Sequence, residues 1–142
     1  MIEYTQTELR VMALFSAVGA VFSFLVGGID APVKALLTLI CIDYASGLVA
    51  AWKTGTLSSQ RGFNGLRRKI VIVAVVAFAN ILDTSMSLGH VFRSMAIFGY
   101  AGMEGMSILE NIDRMGYGDY IPPFIREKLI QLRNEKGVNF NA

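Results

Sequence analysis

VMALFSAVGAVFSFLVGGI, residues 11–29, decides the fold class. Its nineteen residues hold nothing more polar than Ser16 and Ser23, and about 20 such residues in a helix cross a bilayer core of about 30 Å. A secretory signal would open on basic residues and carry a shorter apolar region. Here Glu3, Glu8 and Arg10 lead in, so the run is read as a retained first span. Met12, just inside it, offers an internal start that would drop those three charges. Composition agrees with a membrane protein. Of 142 residues, 54% are hydrophobic and 17% charged, where soluble domains carry about 25% charged residues. Mean hydropathy is +0.50. A net charge of +2 gives no argument for nucleic acid. The single cysteine, Cys41, excludes both an intramolecular disulfide and a cysteine-based zinc site.

Further runs follow at 35–52, 70–88 and 91–109. Gly27, Gly28, Asp30 and Pro32 mark the first turn, and Gly89 with His90 a later one. The expected fold is an all-α integral membrane protein forming one domain over residues 1–142. It would be a small bundle of four transmembrane helices, or three if 91–109 lies on the surface, plus a short C-terminal amphipathic helix. Between spans, 53–69 forms a basic loop with five cations and no acid, and 110–142 forms a polar tail. With four spans, eleven cations fall on one side and only Lys34 and Arg93 on the other. The positive-inside rule then makes both termini cytoplasmic.

Helices in lipid associate through small residues and polar contacts, because apolar burial supplies no drive there. Ala13, Ser16, Ala20, Ser23 and Gly27 form such a stripe in the first span, with Gly47 and Ala51 in the second and Ala101 and Gly105 in the fourth. Bundle packing within one chain is the preferred reading, ahead of an intersubunit face. In the fourth span Arg93, Ala96, Tyr100, Glu104, Ser107, Asn111 and Arg114 share one helix face, while Met95, Phe98, Met106 and Leu109 lie opposite. Charges in a membrane face a bundle interior or water. Both readings stay open: a buried Glu104 inside one bundle, or a stripe that lines a lumen when copies assemble. Asp43, alone in the second span, reads as a structural carboxylate rather than a protonation switch, with no partner visible. Asp83, near an outer end, reads as solvated, and His90 is given no role.

Ser58 or Ser59 can cap a helix leading into the third span, with Phe63, Leu66 and Ile70 on one face. Arg67, Arg68 and Lys69 would meet anionic headgroups, each contributing about 1 kcal/mol near the surface. A topology signal explains the same charges. After Pro122 and Pro123, Ile125, Leu129 and Leu132 form a short apolar stripe for the membrane or a neighbouring subunit. No nucleophile elbow, phosphate-binding glycine loop, HExxH or histidine cluster occurs. Glu104 and Glu110 point to different helix faces and make a poor acid/base pair. No catalytic, cofactor-binding or metal-ligating residue is assigned.

Three segments in order, IDYASG (42–47), LSSQRGFNGLRRK (57–69) and EGMSILENIDRMG (104–116), resemble the toxin secretion/phage lysis holin family of Gram-positive phages and prophages. The likeness spans roughly residues 35–118. It implies a protein that accumulates harmlessly in the bacterial cytoplasmic membrane and then oligomerises into lesions. A cytoplasmic endolysin, or a toxin, escapes through them and the host lyses. The implied partners are the lipid bilayer, further copies of the chain, an endolysin, and in some systems an antiholin. On that reading the fourth helix hides its stripe in the monomer, Arg93 and Glu104 carry the switch, and Asp43 helps hold the packed form. An antiholin keeps the same helices. A small four-span ion-coupled transporter or channel is the competing class, and no aromatic cage for a cationic substrate accompanies Asp43 or Glu104.

Overall fold

The computed structural model describes residues 4–138, with the side chains at 129, 132, 133 and 136–138 outside that description. Five α-helices follow one another: α1 (Gln6–Val26), α2 (Ala31–Lys53), α3 (Ser59–Met86), α4 (Val91–Ile112) and α5 (Pro123–Val138). A π turn, Asp113–Tyr117, and a 3-10 turn, Gly118–Tyr120, join the last two. No strand occurs among the described residues.

Each boundary has a local cause. Thr5 and Glu8 close a capping box on α1, with the Glu8 amide donating to Thr5 Oγ1 at 3.3 Å and the Thr5 amide to Glu8 Oε2 at 2.7 Å. Gly27, left-handed at φ 80°, stops the helix. Asp30 then caps α2, accepting from the Val33 amide at 3.2 Å, with Pro32 in the first turn where a missing N–H costs little. Ser58 caps α3 through the Arg61 amide at 3.2 Å. From Ser59 the helix runs unbroken to Met86, as the cap expected at Ser58 or Ser59 implies. With Lys53 ending α2, only 54–58 of the basic segment 53–69 lies outside a helix. The Ser58 cap and the helix formers Gln60, Arg61, Leu66, Arg67 and Arg68 outweigh Gly62 and Gly65.

Among the described residues α1, α2 and α3 are long and apolar enough to cross a membrane. The fourth helix has 22 residues, but Arg93, Glu104 and Glu110 keep it out of that group. It lies against α2 and α3, whereas α1 packs chiefly on α3. Val26, Val33, Leu36, Ile72, Val76 and Ile97 form a thin apolar core between them. The outer surface is strongly apolar, with Phe24 82% and Phe98 84% exposed. On α4 the usual soluble pattern is inverted, for Arg93, Glu104 and Asn111 are buried while Met95 and Phe98 face out. A lipid solvent makes that arrangement favourable, and water would not.

Candidate functional site

The three segments singled out in the sequence converge on one buried cluster. Asp43 comes from α2, Lys69 from α3, and Glu104 and Asn111 from α4. The Lys69 ammonium sits between the two carboxylates and donates to Asp43 Oδ2 and to Glu104 Oε2. Asn111 Nδ2 completes the other side, donating to Asp43 Oδ1 at 3.1 Å, to the Asp43 carbonyl at 3.3 Å and to Ser46 Oγ at 3.0 Å. Glu104 is 0% exposed, and its Oε1 has no hydrogen-bond partner among the described residues. Gly47 faces the Asn111 amide, where a Cβ would stand 3.5 Å from Nδ2 in ordinary contact. Gly62 and Gly65 lie against the Tyr44 side chain between α2 and α3.

The cluster corrects the expectation for Lys69. It is 7% exposed and committed to two carboxylates, and it is not available to headgroups. Arg67 and Arg68 remain exposed, with the Arg67 guanidinium 5.2 Å from the Phe63 ring centre. Sequence reasoning treated the three cations as one basic run and so missed the partner of Asp43. A signal was present. Lys69, Ile72, Val76, Asn80 and Asp83 recur at helical spacing, and all five are buried on the inner face of α3. Removing charges from solvent is costly, so a buried trio adds little net stability over apolar packing, but breaking it is strongly unfavourable. It therefore fixes which rotation of α4 the bundle accepts.

A second network secures the other end of α4. Arg93, 3% exposed, makes a bidentate pair with Asp30, Nη1 to Oδ2 at 2.8 Å and Nη2 to Oδ1 at 2.9 Å. It also donates to the Val26 and Gly28 carbonyls, which the end of α1 leaves without helical partners. A Cβ on Gly27 would collide with the Asn80 amide and stand 2.9 Å from Arg93 Nε. Hydrogen bonds from Arg93 hold the Asp30 carboxyl below the usual carboxylate range. Partial burial opposes this, while the Val33 amide and the Arg93 charge reinforce it.

Asp83 corrects a second expectation, since it is 2% exposed and not solvated. Its carboxylate accepts from the amides of Phe92 at 3.0 Å and Arg93 at 2.7 Å. His90, left-handed at φ 68°, offers α4 no side-chain cap, and Asp83 supplies one from α3. Acceptors at a helix N-terminus satisfy exposed amides and meet the positive end of the helix dipole.

The remaining stripe residues separate. Tyr100 and Ser107 are half-buried, and Arg114 is exposed. Along α1, Ala13, Ser16 and Ala20 are exposed, while Ser23 and Gly27 are half-buried. The intrachain packing expected for that stripe is thus confined to its last two members, because α1 leans on α3 only near its C-terminal end. Ala51 on α2 is buried. Ile125 of the C-terminal stripe is half-buried, and the side chains of Leu129 and Leu132 lie outside the described residues. Arg126 ties α5 back to the turns, 3.0 Å from Asp119 and 3.7 Å from Asp113.

A cavity of about 320 Å³ opens above the Asp43–Lys69 pair, between α2, the start of α3 and the end of α4. Among the described residues no cluster of His, Cys, Asp and Glu has the arrangement of a metal site.

Three apolar helices around buried ionic contacts define a helical membrane protein. Comparison with known proteins narrows the class, since the model of the bacteriophage holin family matches residues 20–134. The chain belongs to that family. Among its relatives, Lin0175 of Listeria innocua is 45% identical over 98 residues, covering 69% of this chain and 70% of that one. YqxH of Bacillus subtilis is 34% identical over 113 residues, covering 80% and 79%. A protein of Bacillus phage phi105 described as a probable holin is 36% identical over 94 residues, covering 66% and 68%. No solved structure matches.

Proposed function

We propose that this protein is a phage-type holin. It crosses the bacterial cytoplasmic membrane with α1 to α4, both termini on the cytoplasmic side, and collects there until copies assemble into a lesion. The lesion collapses the membrane potential and lets a cytoplasmic endolysin, or a toxin, cross. Family membership carries the holin role. The observation that carries the mechanism is complete burial of Glu104 against Lys69 on the polar face of α4. In a lone protomer that face is shielded by α2 and α3. On assembly it exchanges these partners for water, which solvates the charges at no membrane cost. Arg93 with Asp30 and Glu104 with Lys69 act as the two latches of α4, and Asp43 holds Lys69 in place.

The test is inducible expression in a bacterium, following membrane potential and cell density with and without a cytosolic endolysin. Abrupt depolarisation, with lysis only when endolysin is present, is expected. Slowed growth with the potential intact would refute the lesion. Glu104→Gln weakens one latch and should advance or delay the lysis time measurably; unchanged timing and lesion size would remove Glu104 from the mechanism.

A further inference from the structure

The cavity above the ionic cluster has a composition that the latch does not explain. Four cations line it, Arg61, Arg68, Lys69 and Arg114, against two carboxylates, Asp43 and Glu110. Lys69 and Asp43 occupy one another at the floor. Three arginines from two parts of the chain therefore face one volume whose remaining acid is Glu110. Among the described residues none of the three is in an ion pair, and all three are exposed. Between them the wall turns apolar at Leu48, Ala51 and Leu57.

The depth of the cavity selects the ligand. Helix α3 has 28 residues, about 42 Å at about 1.5 Å per residue, against about 30 Å of hydrocarbon. Its unbroken apolar run begins at Ile70, so Arg61 and Arg68 stand at or beyond the headgroup level. Trp52, 73% exposed at the end of α2 next to the start of α3, suits the interface on the Arg61 side of the bundle. A cationic pocket with an apolar wall at this depth suits an amphiphile whose head is a phosphate ester. Planar guanidinium groups bind phosphate oxygens bidentately.

We infer that this cavity is a binding site for the phosphodiester headgroup of an anionic phospholipid, held by Arg61, Arg68 and Arg114. A bound lipid would bridge the start of α3 to the end of α4 and so add to the contacts that hold α4 in place. The inference requires only that the chain spans a membrane, and failure of the lysis test would leave it standing.

The experiment uses the full chain in a zwitterionic detergent and a fluorescent phosphatidylglycerol. Unlabelled phosphatidylglycerol, phosphatidylcholine and inorganic phosphate serve as competitors. Phosphatidylglycerol should displace the probe about tenfold better than phosphatidylcholine, and phosphate at the same concentration should not displace it. Removing two of the three cations in the double variant R68Q/R114Q should weaken binding about thirtyfold. R68K/R114K, which keeps the charge and the fold, should lose less. R10Q/R67Q removes two cations outside the cavity and should bind as the parent does. Equal displacement by the two lipids, or an equal loss in R10Q/R67Q, would overturn the site. Displacement by phosphate as effective as by phosphatidylglycerol would overturn the lipid occupant and assign the pocket to free phosphate.

Discussion

Replacing Lys69 with Met tests the ionic cluster directly. Methionine keeps an unbranched stem of similar length and removes only the charged end. The substitution leaves Asp43 and Glu104, 9% and 0% exposed, without their shared cation. Asn111 still serves Asp43, but no other donor reaches Glu104 among the described residues. Breaking a buried pair by removing one partner costs about 3–5 kcal/mol, which is roughly a hundredfold to several thousandfold in the folding equilibrium. The assay is denaturant unfolding in mild detergent micelles, followed by helical circular dichroism and by the fluorescence of the single tryptophan, Trp52. The triple variant D43N/K69M/E104Q removes every charge of the cluster and should recover most of the loss, because a neutral replacement no longer strands a buried ion. A loss below about 1 kcal/mol for Lys69→Met, or a triple variant no more stable than the single one, would refute the view that Lys69 anchors α4.

Three further outcomes follow from the other end of α4. Gly27→Ala places a Cβ at φ +80° against Asn80 and Arg93, so it should destabilise by more than about 1 kcal/mol in the same unfolding assay. Asp30→Asn keeps an N-cap for α2 and removes the ion pair to Arg93. Because the folded Asp30 carboxyl lies below its ordinary 3.8, its contribution is present above the unfolded value and is lost as pH falls through the folded one. The stability gap between parent and Asp30→Asn should therefore hold from about pH 5 to 8 and close below about pH 4; a gap that widens on acidification would contradict the assignment. Asp83→Ala strips the cap from α4 at a cost of about 1–2 kcal/mol, and hydrogen exchange should accelerate at the amides of Phe92 and Arg93 ahead of those near Glu104.

Much of this architecture was legible in one dimension. The apolar run from Val11 to Ile29, the Gly27–Pro32 turn and the Ser58 cap each act through residues close in sequence. Transfer free energy and helix-end hydrogen bonding depend on those neighbours alone. The polar stripe of α4 was equally visible, since a period of 3.6 residues places Arg93, Glu104 and Asn111 on one face whatever lies opposite.

What lies opposite was decided only by the tertiary structure. Lys69 read as one more cation in a basic run, and its identity as the partner of both Asp43 and Glu104 depends on how three helices are rotated and staggered. Asp83 read as solvated because nothing nearby in sequence shows that α4 begins above it. The stripe from Ala13 to Gly27 read as a packing face, yet only its last members approach another helix, because α1 leans on α3 at one end. Periodicity tells which residues of a helix share a face. Which face meets which neighbour is set by the combined packing of the bundle, and at the Arg93 end the missing Cβ of Gly27 is what lets Asn80 and Arg93 close on the turn.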